Sequence, residues 1–170
     1  DGRLAARGRV REMLLAELMR HPYLRRRPPK STGREVFGRP FAENLYRRAR
    51  GRGLDPADIV ATVTAFTARS IAEAYRRFLP GPVDELFLGG GGAKNRTLVA
   101  MLGGELAGPV LRPMDDLGLP AQAKEAVAFA VLAAETYLGR PGNLPAATGA
   151  DRPVILGAVW PGRAQPQGRR

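Results

Sequence analysis

Three stretches of the chain carry residue types that could bind phosphate or sugar, or could do acid–base chemistry. The first, residues 28–35 (PPKSTGRE), places a lysine, two hydroxyls and a glycine behind two prolines. A Walker-type phosphate loop needs glycines ahead of its lysine, whereas Pro28 and Pro29 supply no N–H donors and hold the backbone extended. A phosphate loop is therefore excluded at this position. A sugar-binding loop and a simple connector both stay open.

The second stretch, residues 88–95 (LGGGGAKN), lies between a predicted strand and a predicted helix. Open α/β sheets bind ligands at such turns, because glycines let the backbone approach a ligand and the helix offers N–H groups and its positive dipole end. Lys94 and Asn95 break the G-x-G-x-x-G dinucleotide fingerprint. Asn95 has a donor and an acceptor for a base or a ribose. A ligand-binding turn and a plain tight turn are equally supported by these residues.

The third stretch begins at Glu125, directly ahead of an all-apolar run at residues 126–134 (AVAFAVLAA). We expect the Glu125 carboxylate to meet a region with little water, and such burial raises the pKa of a carboxyl group and prepares it for acid–base work. The alternative is an ordinary glutamate in the first turn of a helix, where the dipole favours it. The residues alone favour the alternative.

Composition excludes several classes of site. The 170 residues are enough for one domain with one core. With no cysteine and His21 as the only histidine, disulfides, thiol catalysis and cysteine-based metal sites are excluded, and a Ser-His-Asp triad nearly so. We predict no metal site held by side chains, and we expect His21 to end a helix. No apolar run approaches the ~20 residues of a membrane span, so no membrane partner is predicted.

The strongly basic charge invites a nucleic-acid interpretation, which we do not favour. The net charge is +11 and the sequence pI is about 11.2. The excess is almost wholly arginine, as a GC-rich genome can produce without any partner. These arginines are scattered along the chain and are not interleaved with the aromatic residues that stack single-stranded bases. Solvated helix faces are the better interpretation, and no nucleic-acid partner is predicted.

The elements that must position these stretches form a helix-rich α/β pattern. Asp55, Pro56 and Asp58 are typical of a helix start, as cap, first-turn proline and dipole partner. The all-apolar middle of the last helix predicts that it is buried on every side. Two strands alone seldom form a stable sheet, so we predict a short, incomplete one. The predicted helices cover residues 10–19, 40–50, 56–78, 96–102 and 120–138, and the predicted strands cover residues 83–88 and 109–111.

Taken in order, four motifs resemble one family. PPKSTGRE, GGGGAKN, AKEAVAFAVLA and GRPGNLPAATGADRPVILG look like the C-terminal half of anhydro-N-acetylmuramic acid kinase, from the sugar kinase/Hsp70/actin group. The resemblance covers residues 1–162 and implies a partial RNase H-like (actin-like ATPase) C-terminal lobe, with residues 163–170 as a disordered tail. It implies a cytoplasmic enzyme of peptidoglycan recycling. With ATP, Mg²⁺ and water, such an enzyme opens 1,6-anhydro-N-acetylmuramic acid and phosphorylates its O6, giving N-acetylmuramic acid 6-phosphate.

The same resemblance implies roles for individual residues. It places Glu125 at the sugar, where it assists the attacking water. For the PPKSTGRE loop it implies a place near the cleft between two lobes, and we expect a sugar-side role, although these residues could equally hold the loop's own shape. The residues so implied are Gly90, Gly91, Gly92, Ala93 and Asn95 for the nucleotide and Lys30, Ser31 and Thr32 for the sugar.

The chain also departs from the family pattern. The N-terminal phosphate-binding loop and the F-D-T-G-P-x-N stretch with the catalytic aspartate do not occur in the sequence, and both would precede residue 1. Because these parts supply phosphate positioning and the general base, we expect this chain alone to be inactive. The alternatives are another sugar kinase of the superfamily, a basic nucleic-acid-binding module without enzymatic activity, or a gene remnant that does not fold stably. A homodimer is a further option.

Overall fold

The computed structural model describes residues 1–162, so the predicted disordered tail at residues 163–170 lies outside the described part. The chain is helix-rich α/β with a two-stranded parallel sheet, as predicted. It divides into two compact units, Asp1–Lys124 and Glu125–Arg170. Within residues 1–162, no helix combines the length and apolar character needed to cross a membrane.

The first unit contains seven α-helices in its described residues, and the predicted long ones are confirmed. The predictions at residues 10–19, 40–50, 56–78 and 96–102 correspond to α2, α5, α6 and α7. The short helices α1, α3 and α4 were not predicted, because four or five residues are too few to show a helical period. The bounds are α1 Arg3–Arg7, α2 Glu12–Met19, α3 Pro22–Arg25, α4 Arg34–Phe37, α5 Arg39–Gly51, α6 Pro56–Phe78 and α7 Arg96–Leu106.

Local capping explains where two of these helices begin. The Asp55 carboxylate accepts a hydrogen bond from the Ala57 N–H at 2.7 Å, and Pro56 takes the first helical position of α6, as predicted. Helix α2 ends at Met19 with Arg20 as its C-cap, so the prediction that His21 ends it is one residue late. His21 instead begins α3, since its Nδ1 accepts from the Tyr23 N–H at 3.2 Å. The single histidine is thus a capping residue at the junction of two helices.

The core of the first unit is built around α6, which packs against α1, α2 and α7. Leu15 of α2 is fully buried and, with residues of α5 and α6, forms the main apolar cluster. Small residues line the buried side of α6, where neighbouring helices can approach its backbone closely. The fully buried alanines of α6 are Ala61, Ala68 and Ala72.

The two strands are β1 (Glu85–Leu88) and β2 (Val110–Pro113), which pair in parallel with Glu85 opposite Val110 and Leu88 opposite Pro113. Helix α7 makes the crossover between them, as a parallel pair requires. Both predicted strands are confirmed, although the first begins two residues later than predicted, and the second begins one residue later and runs on to Pro113. Arg112 joins the strands by bonding Glu85 at 2.8 Å.

The second unit contains α8 (Lys124–Tyr137) and α9 (Pro145–Thr148). The prediction that the last long helix is buried on every side is wrong, because no residue of α8 is buried and Phe129 is 72% exposed. The physical reason is area: the other described residues of this unit form one short helix and loops. They cover only one side of α8, where Leu132 and Thr136 are half-buried.

Asp58 anchors the start of the chain to α6. Its carboxylate accepts from the Arg9 backbone N–H at 2.7 Å and from the Arg11 guanidinium, with the Arg11 Nε also at 2.7 Å. Asp58 was predicted to act only on the helix dipole, but it is 6% exposed and fully hydrogen-bonded. The Arg9 N–H and then the Arg11 side chain hold the pKa of the Asp58 carboxyl below its ordinary value of 3.8.

This lowered pKa predicts a loss of stability in acid. The folded protein releases the Asp58 proton more readily than the unfolded chain, so the stabilisation is complete above pH 3.8 and disappears as the pH falls through the lower folded pKa. We expect Asp58→Asn to lower the Tm at pH 7 by several degrees and to flatten its decline below pH 4, in thermal unfolding followed by circular dichroism. Asp84→Asn, at an exposed carboxylate of the same unit, is the control. Equal pH profiles for Asp58→Asn and the unchanged chain would contradict the prediction.

Candidate functional site

The glycine turn (residues 89–92) joins β1 to the start of α7 through a conformation that requires glycine. Gly90 has φ +75° and ψ −171°, a region that is essentially restricted to glycine. A single 3-10 turn, Gly91–Lys94, then leads into α7. The glycine run therefore contains at least one residue that the backbone itself demands, and this part of the sequence pattern is explained by local geometry.

The turn also presents bare backbone to open space. Gly90, Gly91 and Gly92 are exposed, and Ala93 is half-buried. A Cβ added at Gly90 or Gly91 would meet no atom within 4 Å, and one at Gly92 would lie 3.7 Å from a methyl of Leu98. Packing within the chain does not require glycine at position 91. A flat ligand could approach the peptide groups here more closely than any side chain would allow.

Asn95 caps α7. Its Oδ1 accepts from the Leu98 N–H at 3.0 Å, and its carbonyl accepts from the Val99 N–H at 3.0 Å. The sequence predicted both a donor and an acceptor for a ligand at this residue. In the structure the side-chain oxygen serves the helix, so a contribution to a ligand would come from the Nδ2 amide. Lys94, beside it, is exposed.

The PPKSTGRE loop is held to α3 at Lys30 and is shaped by a local hydrogen bond at Glu35. Lys30 Nζ donates to the carbonyls of Tyr23 at 3.3 Å and Leu24 at 3.2 Å. At the other end, the Glu35 carboxylate accepts from the Gly33 N–H at 2.6 Å. The N–H groups of Glu35 and Gly33, with a smaller effect of the Thr32 hydroxyl, lower the pKa of the Glu35 carboxyl.

An aromatic cavity of about 750 Å³ lies beside this loop, and the sequence analysis did not find it. Its aromatic rings come from α3, α4, α5 and α6, so no single periodic pattern indicates it. Phe37 is central, with ring centroids 5.2 Å from Phe41 and 6.0 Å from Phe66. Thr32 is the one member of the Lys30-Ser31-Thr32 set among the residues that line the cavity.

Glu125 lies in the first turn of α8 and is exposed. The expectation that its carboxylate meets a region with little water is wrong for this chain, because the apolar residues that follow are themselves exposed. The structure therefore matches the ordinary first-turn glutamate. Glu125 belongs to the second unit, whereas the glycine turn and the PPKSTGRE loop belong to the first.

The GRPGN motif of the second unit has a structural role that sequence analysis missed. Asn143 Oδ1 accepts from the Val154 N–H at 2.6 Å, and its Nδ2 donates to the Arg152 carbonyl at 3.2 Å. The Thr136 hydroxyl of α8 donates to the Leu156 carbonyl. A Cβ at Gly142 would lie 3.2 Å from a methyl of Leu132, so glycine allows close packing there. The motif thus returns the chain onto α8.

Some of the arginines pair with carboxylates of the chain. Arg48 and Arg52 both bind Glu17, and Arg69 Nε lies 2.8 Å from the Glu105 carboxylate. In residues 1–162, eight of the 21 arginines form ion pairs, so only part of the basic charge is engaged with neighbouring carboxylates. In the described residues, no group of three or more histidine, aspartate or glutamate side chains is arranged to hold a metal ion.

Comparisons with known proteins identify relatives over almost the whole chain. The family model described as anhydro-N-acetylmuramic acid kinase matches residues 1–162. Proteins of that name from Caldanaerobacter subterraneus subsp. tengcongensis, Acaryochloris marina and Bacillus cereus (strain AH820) are 45%, 46% and 45% identical over 161, 159 and 163 residues. Each alignment covers 94% of this chain but only 41–42% of the relative. The chain thus spans about two fifths of the length of these relatives.

Because Asn95 caps α7 through its Oδ1, we expect substitutions that remove or keep this oxygen to differ in stability. Asn95→Ala removes the cap and should lower the free energy of unfolding by about 0.5–2 kcal/mol, whereas Asn95→Asp keeps an oxygen acceptor and should stay close to the unchanged chain. Urea unfolding of the two variants measures the difference. If Asn95→Asp is destabilised as much as Asn95→Ala, the capping hydrogen bond to Leu98 is not the stabilising contact.

Proposed function

Because the chain belongs to the anhydro-N-acetylmuramic acid kinase family, we propose that residues 1–162 form the C-terminal, RNase H-like lobe of a two-lobe cytoplasmic kinase of cell-wall recycling. The whole enzyme uses ATP and water to open 1,6-anhydro-N-acetylmuramic acid and to phosphorylate O6, giving N-acetylmuramic acid 6-phosphate. Identity near 45% to three relatives of this name supports the proposal. The structural observation that carries it is the exposed glycine turn between β1 and α7.

The glycine turn is the proposed nucleotide site. Gly90, Gly91, Gly92 and Ala93 would lie against the adenosine, where exposed backbone and the absence of side chains leave room for a flat base and a ribose. The Asn95 Nδ2 amide would donate to the nucleoside while Oδ1 holds the helix. ATP supplies the phosphoryl group when bound. Mg²⁺ would be bound by the phosphates of the nucleotide, and residues 1–162 add no group of three or more histidine, aspartate or glutamate side chains to hold it.

The sugar side is assigned to Glu125 and to the PPKSTGRE loop. A glutamate near the attacking water would accept a hydrogen bond from it and orient it, as a residue that assists a general base does. Exposure of Glu125 leaves its carboxylate accessible to a sugar. Of the three loop residues, Ser31 is the one whose hydroxyl we assign to the substrate, because Lys30 and Thr32 have partners within the chain.

The remaining parts of the machinery are proposed to come from the rest of the family's polypeptide, since this chain matches only about two fifths of its relatives. Exposed apolar side chains of the second unit support this. Phe129 and Trp160 are 72% and 88% exposed, and large exposed apolar surface marks an interaction site. We therefore propose that the isolated chain does not phosphorylate the anhydro sugar.

The proposal predicts activity when the chain is joined to the missing part of a relative. We expect a protein that joins the N-terminal part of the Caldanaerobacter relative to this chain to convert the anhydro sugar and ATP to the 6-phosphate and ADP, while this chain alone does not. In the joined protein, Glu125→Gln should lower kcat by about 10²–10⁴, the range of acid–base assistance. Glu135→Gln, on the same helix, is the control. A joined protein that folds but leaves the anhydro sugar unchanged would refute the substrate assignment.

The glycine turn predicts a matched pair of binding results. Neither Gly91 nor Gly104 packs against any atom within 4 Å of an added Cβ, so alanine fits at both. Gly91→Ala should weaken Mg-ATP binding about tenfold, which corresponds to about 1.4 kcal/mol, because its methyl group occupies the proposed path of the ligand. Gly104→Ala, within α7, should leave the affinity unchanged and stabilise the helix by about 0.5–1 kcal/mol. Calorimetric titration compares them, and equal affinities would move the nucleotide site elsewhere.

Two alternatives keep distinct signatures. Another sugar kinase of the superfamily would bind Mg-ATP at the same turn but select a different sugar in a panel of titrations. A basic nucleic-acid-binding module would lose affinity for nucleic acid steeply as salt is added, because neutralised phosphates release counterions. The family match over residues 1–162 favours the kinase proposal over this second alternative. Homodimerisation is a separate question, which the sedimentation behaviour of the chain answers.

A further inference from the structure

The ammonium group of Lys30 lies in a site built from three segments of the first unit. Its Nζ is 4.9 Å from the ring centroid of Tyr23 and 4.8 Å from that of Phe78, at the C-terminal end of α6. The same Nζ donates to the carbonyls of Tyr23 and Leu24 in α3. One cation therefore joins the loop, α3 and α6 through two hydrogen bonds and two aromatic faces.

Lys30 differs in this respect from the other two lysines of the chain, Lys94 and Lys124, which are exposed. A half-buried lysine has lost conformational freedom and part of its hydration, so its contacts must compensate. Two of the three N–H donors of Nζ are directed at carbonyls of the chain, and its charge faces two rings. This geometry leaves Nζ poorly placed to bind a sugar hydroxyl as well.

A second contact shapes the loop locally. Glu35 accepts from the Gly33 N–H at 2.6 Å and also lies within reach of the Thr32 hydroxyl, so residues 32–35 form a turn of their own. Ser31 is exposed and lies between Lys30 and this turn. Its position relative to the rest of the unit is thus set by the adjacent Lys30, while the Glu35 contact sets the shape of the loop that follows.

We propose that Lys30 is a positioning residue, whose clamp on Tyr23, Leu24 and Phe78 sets the orientation in which Ser31 is presented to the sugar. This inference rests on the proposed function only in naming a sugar as the ligand of Ser31. In this proposal Lys30 and Thr32 hold the loop in place, and Ser31 contacts the substrate.

The electrostatic surroundings agree with this arrangement. Burial, and then the charges of Arg77 and Arg26, lower the pKa of the Lys30 ammonium from 10.5. The ionisable groups that face the Lys30 ammonium are these two guanidinium groups and the Tyr23 phenol. Deprotonation removes the charge that faces the two rings and should loosen the clamp as the pH rises through the lowered pKa.

The first test uses the 170-residue chain itself. It contains only three lysines and two serines, Ser31 and Ser70, so ¹³C-lysine and ¹³C-serine labelling gives few and assignable signals. We expect the Lys30 Hε protons to be shifted upfield by the two rings and to titrate with a midpoint below 10.5. The Ser31 Cβ signal should follow the same titration, and Lys30→Met should abolish this response. Ser70, on α6, is the internal control. A Lys30 signal without a ring shift, or a Ser31 signal that ignores the titration, overturns the proposal.

The second test uses the joined protein and separates positioning from direct contact. Ser31→Ala and Lys30→Met should each raise the KM for the anhydro sugar about tenfold, the loss of one substrate hydrogen bond, with little change in the KM for ATP. The double variant should be no worse than either single variant, because both remove the same contact. Lys30→Arg, which keeps a cation between the rings, should restore part of the affinity.

These outcomes distinguish failure of the inference from failure of the proposed function. If the KM of the double variant rises by the product of the two single increases, Lys30 binds the sugar directly and the positioning role is rejected. If the joined protein does not accept the anhydro sugar at all, the kinase assignment fails. The ring shift and the coupled titration of Ser31 still decide in that case whether the clamp exists.

Discussion

The buried helix α6 is the constraint on which the first unit depends. It is 23 residues long, and successive parts of it contact different segments of the unit. Asp58 at its start holds the N-terminal segment through Arg9 and Arg11, its alanines allow α1 and α7 to approach, and Phe78 at its end receives the Lys30 ammonium. Both segments assigned to ligands in this unit are therefore fixed to one helix. A change in the packing of α6 would reach the glycine turn through α7 and the loop through Phe78.

The glycine turn combines one residue that the backbone requires with others that it does not. Gly90 is required by its positive φ, but Gly91 is required neither by its backbone nor by packing. Asn95 gives the oxygen of its amide to the start of α7. Gly104 of α7 is equally free of packing, so this property alone does not indicate a ligand. The proposed nucleotide site rests on the position of Gly91 in the exposed turn between β1 and α7.

Sequence patterns predicted the elements well where a period or a cap was present. Asp55 and Pro56 fixed the start of α6, and the apolar run before the glycines fixed β1. The aromatic cavity and the Asn143 contacts were missed because their members come from segments far apart in the sequence or from irregular loops. The sequence left the role of Lys30 undecided for the same reason: Phe78, whose ring faces the Lys30 ammonium, is 48 residues away along the chain. Contacts of that range depend on packing, which single-sequence patterns do not encode.

The error at α8 is informative because the local inference was sound. A helix with the sequence AVAFAVLAA is stable in water only when most of its surface is covered, yet the described residues of its unit cover one side. The apolar sequence of α8 therefore calls for more packing contacts than the described residues of the second unit provide. The same holds for Glu125, which is exposed: its carboxylate would be shielded from water only if the apolar surface beside it were covered. Any surface that covered α8 would therefore also remove water from around Glu125, because its carboxylate lies one residue before the apolar run.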